Sequence, residues 1–516
     1  MKKLLLPLAA FILAGCANVT TAPDPLKDPP KAGESVVAVT VTDNTSRAGA
    51  FTSMTVQRMV PGETNPASHV MRLVAPGLSR DTALFIAVLP EGEYEFASFA
   101  TGNQFLNLNP GSRRLIGKFT VAGGKAVDLG RLIVTPLNTS VLVGRSARVT
   151  SNLPLMRRFA PEQAQLYGGE VRPGWNGPRT AEDRIEEYAS ARPVGADNPV
   201  EAADGRIVAG SRLGSVLVRS PQGRWGTLRS DGLESILYAR PVDLPDARVL
   251  AAGEFNTLLR QPAGVPRLVA IDTGDLPPGN LLYIGGSDAL GWYVAHQRGT
   301  EISIFRSAKL DAGQWQAIRK ESAEASIWSG PNRFWIWNTP RGLGYALSEG
   351  VIRFLDFGTG AWTERKAPNN HRLNGIAANP DGTLGILTSP GGGFGGIFAG
   401  LYLSKDEGAT WQDVPTEFKV KMVPPQRNRS GTMFLAGGVF SNPELHASRD
   451  EGKTWQKVSD FKLDRRLAIL PSGAMLAVDS GTFGLFSIQH SSNEGASWQT
   501  EYSNFDRAAY DARQKK

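Results

Sequence analysis

The chain contains one cysteine, Cys16, in 516 residues. That excludes an intramolecular disulfide, a cysteine-based zinc cage and an iron–sulfur cluster. Its five histidines, His69, His296, His371, His446 and His490, are scattered with no metal-ligand spacing. No metal and no cofactor are expected. The chain has no run of Lys or Arg: 56 basic and 49 acidic residues leave +7 spread over its length. This argues against a nucleic-acid partner. There is no Gly-x-Ser-x-Gly elbow and no His-Glu-x-x-His helix, and Gly391 to Gly396 is not followed by the Gly-Lys-Ser/Thr of a phosphate loop. The N-terminal apolar run, Leu4 to Gly15, spans about 18 Å as a helix, too short for a bilayer core of about 30 Å.

What the chain has in excess is turn formers. It holds 57 Gly and 34 Pro, together about 18% of residues against an average near 12%. Hydrophobic residues are 41% and charged residues 20%, with 11 Trp, which is globular and not disordered. The length allows two to four domains. Many short Val/Ile/Leu/Phe runs between turns predict an all-β chain.

Lys2 and Lys3 precede the apolar run, which ends Leu13-Ala14-Gly15-Cys16. This resembles the lipobox of bacterial lipoproteins at all four positions. The resemblance implies removal of residues 1–15 and acylation of Cys16, palmitate included. Two or more acyl chains anchor a protein stably where one does not. In that family an Asp after the Cys retains the protein in the inner membrane. Here Ala17 stands there, which implies the outer membrane. Loss of Lys2 and Lys3 lowers the charge from +7 to +5.

Residues 16–34 carry Pro23, Pro25, Pro29 and Pro30 and read as an extended tether. Residues 35–138 follow a period of two, as in Ser35 to Thr42, Ser53 to Gln57, Val70 to Leu73, Ala83 to Leu89, Tyr94 to Phe99, Leu115 to Val121 and Leu132 to Thr135. With turn residues between them, these predict a β-sandwich. Residues 139–195 break the pattern and form a connector with a short helix at Thr180 to Ala189, Thr180 its N-cap. A polar tail, 506–516, ends the chain.

Residues 196–505 carry a repeat. Ser404-Lys405-Asp406-Glu407-Gly408-Ala409-Thr410-Trp411 recurs from Ser448 to Trp455 and from Ser491 to Trp498, 44 and then 43 residues on. The repeat resembles the Asp-box of sialidases and sortilin-type receptors, which implies a β-propeller with each box in the hairpin between the third and fourth strands of a blade. A period in the forties also matches a four-stranded blade. Asp406 and Asp450 are expected to accept turn N–H groups two residues on; Asn493 is the third copy's departure at that position. Gly408, Gly452 and Gly495 supply positive φ. Trp411, Trp455 and Trp498 fill the gap between sheets. All nine are structural. Earlier tryptophans keep the same time at Trp362, Trp315 and Trp225, with a Trp-less repeat near Ile271 to Asp275. The count is seven blades, or six if the first repeat belongs to the connector.

Binding is expected on the loops between second and third strands, on the face opposite the boxes. Its candidates are Ser287, Asp288, Trp292, Arg341, Phe394, Asn442, Glu444, Asp479 and Phe483. Trp335 and Trp337, two apart, are expected in the core, a sugar-stacking patch being the other reading. The resemblance to sialidases raises an exo-glycosidase as the alternative function. That family uses an Arg triad and a Tyr–Glu pair, with its first Arg in an Arg-Ile-Pro motif. The motif is absent, and Tyr238-Ala239-Arg240-Pro241 is its nearest echo. The leading expectation is an envelope lipoprotein whose propeller binds a protein or glycan and performs no chemistry, with the membrane reached through its lipid.

Overall fold

The structure is a computed structural model describing residues 19–45, 51–63, 66–74, 80–101, 104–167, 172–180, 183–322, 333–389, 399–439, 442–462, 465–481 and 484–514. Cys16, Phe394 and Phe483 lie outside them. No helix among the described residues is long and apolar enough to cross a membrane.

Two sheets form the upstream module. One orders its strands Val19–Thr21, Ser68–Arg72, Ser53–Met59, Gly92–Thr101 and Gln104–Asn107, with Phe119–Val121 also on Gly92–Thr101. The other runs Ser140–Arg145, Val127–Leu137, Glu34–Asp43 and Thr82–Pro90. They share one core, in which Val37, Val39 and Val41 meet Met54, Val56 and Phe96. The far face of the second sheet is also covered. Val36, Ala38, Leu84 and Ile86 pack on Met156, Ala160 and Tyr167 of the connector. Glu34–Asp43 is thus buried on both sides after its first residue, where the period of two predicted one wet face.

Three expectations are corrected here. Residues 16–34 are not a free tether: Val19–Thr21 pairs in parallel with Ser68–Val70, and Ala22 is buried. Part of the expected run Leu115 to Val121 is helix, Pro110–Ile116, because Asn109 caps it by accepting the Ser112 N–H at 2.8 Å. The connector helix begins at Ile185, not Thr180. Arg184 is its N-cap position, without a side-chain cap, while Asp183 faces the Arg145 N–H at 3.3 Å.

Downstream, seven sheets follow one another, each of four or five strands drawn from a contiguous stretch of chain: 197–229, 236–270, 280–322, 334–366, 372–413, 420–460 and 466–503. Every neighbouring pair of strands within them is antiparallel. Apolar side chains alternate between the two faces, so each sheet shares a core with the sheet on either side. In Phe334–Thr339, Ile336 packs toward the third sheet and Trp337 toward the fifth. The last sheet packs on the first: Leu476, Val478 and Ile488 meet Ile207, Ala209 and Leu217. Arg219 also forms a two-point ion pair with Glu501 across that junction, at 2.6 and 2.7 Å. The chain closes into a β-propeller.

The tryptophans occupy equivalent places. Trp225, Trp315, Trp362, Trp411, Trp455 and Trp498 each stand at or just before the fourth strand of their own sheet. Each packs into the core shared with the preceding sheet. Leu268 takes that place in the second sheet. Its box-equivalent turn is therefore 262–268, upstream of the expected Ile271 to Asp275.

The three boxes share one geometry that differs from the expected one. Asp406 accepts the N–H of Thr410, four residues on, at 2.8 Å, and Asp450 accepts that of Thr454 at 2.9 Å. Asn493 does the same with Ser497 at 3.0 Å. The turn glycine donates elsewhere: Gly408, Gly452 and Gly495 bond to Ser404, Ser448 and Ser491 Oγ at 2.7, 2.9 and 2.9 Å. Positive φ is shared by two residues per box, as at Glu451 (61°) and Gly452 (87°).

Candidate functional site

The first strand of each propeller sheet is innermost. Several of these strands surround a cavity of about 1230 Å³. The fourth to sixth sheets contribute Trp335, Ile376, Met422 and Pro424 to its lining; the seventh, first and second contribute Arg206, Arg240, Arg248, Arg465 and Arg466 together with Glu201, Asp204 and Asp243. In the sixth sheet the inner strand is split into Val420–Lys421 and Gln426–Arg427 around Pro424 and Pro425. Proline has no N–H to donate, so it suits an edge that faces a channel. Trp337 is buried in the core; Trp335 packs on the same core but is half-buried and also faces the cavity.

The candidate binding residues do not form one face. In the third and fourth sheets, Ser287, Asp288 and Arg341 lie in turns between the first and second strands. Those turns are at the same end as the boxes. Arg341 reaches Asp356 at 3.2 Å and Glu407 of a box at 3.6 Å. The degenerate boxes upstream had hidden a slip of one strand in the count. Trp292 is 1% exposed and donates its Nε1–H to Asp288 at 2.8 Å, so it supports a turn and cannot greet a partner. Asn442 and Glu444 open the third strand of the sixth sheet, Asn442–Ser448, and Asp479 is near the end of the second strand of the seventh, Met475–Ser480, so these three do flank turns between second and third strands. Asp479, however, is buried and held by Arg465 at 2.7 and 3.1 Å. Glu444 accepts from Lys457 at 2.7 Å and faces His446 at 3.0 Å.

Much of the expected face is occupied by the upstream module. The fully buried Glu254, in the second sheet's turn between second and third strands, accepts the N–H groups of Arg80 (2.6 Å), Asp81 and Thr82 (3.0 Å). Burial and the nearby Asp81 raise its pKa. Asn44 accepts the Val194 N–H at 3.0 Å, and Arg131 pairs with Glu234 at 3.0 Å. At the seventh sheet, a Cβ on Gly484 would meet Thr45 and Pro136 at 3.1 and 3.2 Å. The cavity's lining reaches the other end, at Ala202, Asp204, Asp243 and Pro380, all on turns between first and second strands.

No protein-family model matches the chain, and no curated protein matches it in sequence. Solved structures with a similar arrangement include YCF48 from Cyanidioschyzon merolae, 15% identical with a TM-score of 0.42, covering 56% of this chain and 92% of that one. YCF48 bound to D1 peptide is 17% identical with a TM-score of 0.41, covering 57% and 93%. TolB from Acinetobacter baumannii is 11% identical with a TM-score of 0.31, covering 58% and 77%.

Within the cavity one group stands apart. Arg206 is paired with Asp204 at 2.6 Å, Arg248 with Asp243 at 3.7 Å, Arg465 with Asp479 at 2.7 Å and Arg466 with Asp197 at 2.9 Å. Arg240 has no such partner among the described residues, and its Nη1 is buried without a hydrogen bond. Beside it, Tyr238 and Tyr283 pack with ring centres 4.8 Å apart, their planes tilted by 44°. Burial raises the pKa of both hydroxyls, and Arg240 opposes the rise. The Tyr–Glu hydrogen bond among the described residues joins Tyr345 to Glu321 at 2.7 Å, neither of which lines the cavity.

Proposed function

We propose that this protein is a lipid-anchored envelope protein, attached through Cys16 to the outer membrane. On this reading a β-sandwich carries a seven-bladed propeller that binds an acidic segment of a partner protein in its central cavity. The carrying observation is Arg240: an unpaired guanidinium at the wall of a large cavity, opposite apolar side chains. Arg240 is half-buried, and its Nη1 is shielded from solvent with no acceptor; such an unmet donor is costly, and a ligand carboxylate would satisfy it. Glu and Asp side chains among apolar neighbours fit both parts of that lining. The anchor reading is supported by the one cysteine falling at the end of the apolar run.

An array of acidic peptides with scrambled and amidated controls tests the binding. Arg240→Gln should weaken capture about 10- to 100-fold, the range for a charge-assisted hydrogen bond of about 1.5–3 kcal/mol. Its melting temperature should not fall, because no internal ion pair is broken. Arg341→Gln, exposed at the same end, should bind as the parent does. Equal capture by parent and Arg240→Gln would refute this site. Cys16→Ser should leave the protein in the soluble envelope fraction.

A further inference from the structure

The topology, taken with the lipid-anchor reading on which this step rests, also orients the molecule. Val19 to Thr21 runs parallel to Ser68 to Val70, so the chain enters this strand from the end of the module where the hairpin of Ser53–Met59 and Ser68–Arg72 is joined. Two residues, Ala17 and Asn18, separate Cys16 from Val19, so the three links between them span at most about 11 Å of chain. The anchor therefore emerges beside that hairpin. The module meets the propeller at its opposite end, through Asn44, Arg80 to Thr82 and Arg131. Strand Glu34–Asp43 runs between the two ends, and its ten residues span about 33 Å.

Of the module's four exposed large hydrophobics among the described residues, Phe105 lies toward the opposite end, paired with Ala100, and three lie on the hairpin side. Val19 is 54% exposed, Leu26 41% and Val60 44%. Val60 follows Met59, which pairs with Glu93; Val19 aligns with Ser68, the partner of Gln57; Leu26 lies on the chain between Pro23, whose carbonyl accepts the Val88 N–H at 3.1 Å, and Gly33, whose carbonyl accepts the Glu91 N–H at 2.7 Å. Such side chains on a surface tethered within about 11 Å of lipid gain by contact with it. Lys27, Lys31, Asp24, Asp28 and Glu63 at the same end mix both signs, so the contact does not rest on charge.

We infer that the surface around Val19, Leu26 and Val60 lies against the membrane that carries the protein. The propeller then stands off by the module's length, and its cavity opens away from that membrane. Ligands reach the cavity from the aqueous space or from a facing surface, not from the lipid around the anchor.

Because Cys16 is consumed by lipid, an introduced cysteine is a unique thiol. The full lipidated chain is labelled with a polarity-sensitive dye at Val60→Cys or at Asp243→Cys, beside the cavity mouth. Each is reconstituted in phosphatidylethanolamine/phosphatidylglycerol vesicles containing headgroup-level spin-labelled lipid. The Val60 label should lose most of its emission, unchanged by salt, and the Asp243 label none. Floated protein with both labels quenched alike, neither quenched, or only the Asp243 label quenched overturns the orientation. Protein that fails to float, and behaves as Cys16→Ser does, overturns the anchor reading and the orientation with it.

Discussion

Replacing Ser448 with Ala tests what holds the repeated turn. The family resemblance draws the eye to the acidic residue, but the buried bond belongs to the serine. Ser448 is 2% exposed. Its Oγ accepts the Gly452 N–H at 2.9 Å and donates to Asp450 at 2.7 Å. Without that oxygen, the N–H of Gly452 is left without an acceptor inside the protein, which costs about 1–3 kcal/mol. The Asp450 carboxylate bonds to Thr454 N–H and Oγ at 2.9 and 2.6 Å, yet water can replace it. Ser448→Ala should therefore lower stability more than Asp450→Ala, measured by urea unfolding at constant slope. The two should also separate with pH. Hydrogen bonds from Thr454 and Ser448 lower the Asp450 pKa from 3.8 to about 2. A depressed carboxyl contributes stability above its unfolded pKa and loses it as pH falls through the folded one. The deficit of Asp450→Ala should shrink in acid, and that of Ser448→Ala should not. A Ser448→Ala loss below about 0.5 kcal/mol, the range of a neutral surface change, would refute the reasoning.

Asp43 offers a second pH test: burial raises its pKa from 3.8 to about 6, against the pull of Arg212. A raised carboxyl contributes stability that is full below 3.8 and is lost as pH rises through about 6. Asp43→Asn should flatten the decline of stability between those limits and gain at most about 3 kcal/mol at neutral pH; an unchanged slope would deny the shift. Trp315, 6% exposed, should cost about 3–5 kcal/mol on truncation to Ala. Trp455 is half-buried and should cost distinctly less; the reverse order in thermal unfolding would show that the two do not occupy the places described.

The repeat was legible because one residue per sheet must fill a gap of fixed size, and tryptophan does so in six of seven places. Where Leu268 fills it, the period alone located the sheet and missed the turn by several residues. The face was harder to read. In the third and fourth sheets the boxes are eroded, so nothing in the local sequence separates a first strand from a second. A slip of one strand moves a turn to the other end of the propeller. Trp292 shows a further limit: an aromatic beside an Asp reads equally as a contact residue or as a capped turn. Arg240 was noticed only as an echo of a motif. Its lack of a partner depends on where Asp204, Asp243, Asp479 and Asp197 lie in space. The docking of the upstream module was invisible because its anchor, Glu254, accepts backbone N–H groups, which any sequence supplies.

Each propeller sheet takes all its strands from one stretch of chain, so no strand is shared between the last sheet and the first. That junction is a seam held by side chains alone. The upstream module lies across it, touching the seventh sheet at Gly484 on one side and the first on the other, where Arg212 pairs with Asp81 at 3.3 Å. It therefore works as a clasp as well as a stand. Cutting it away would free the two lips of the seam, and a fragment holding only the seven sheets would be expected to gape and exchange partners with its neighbours.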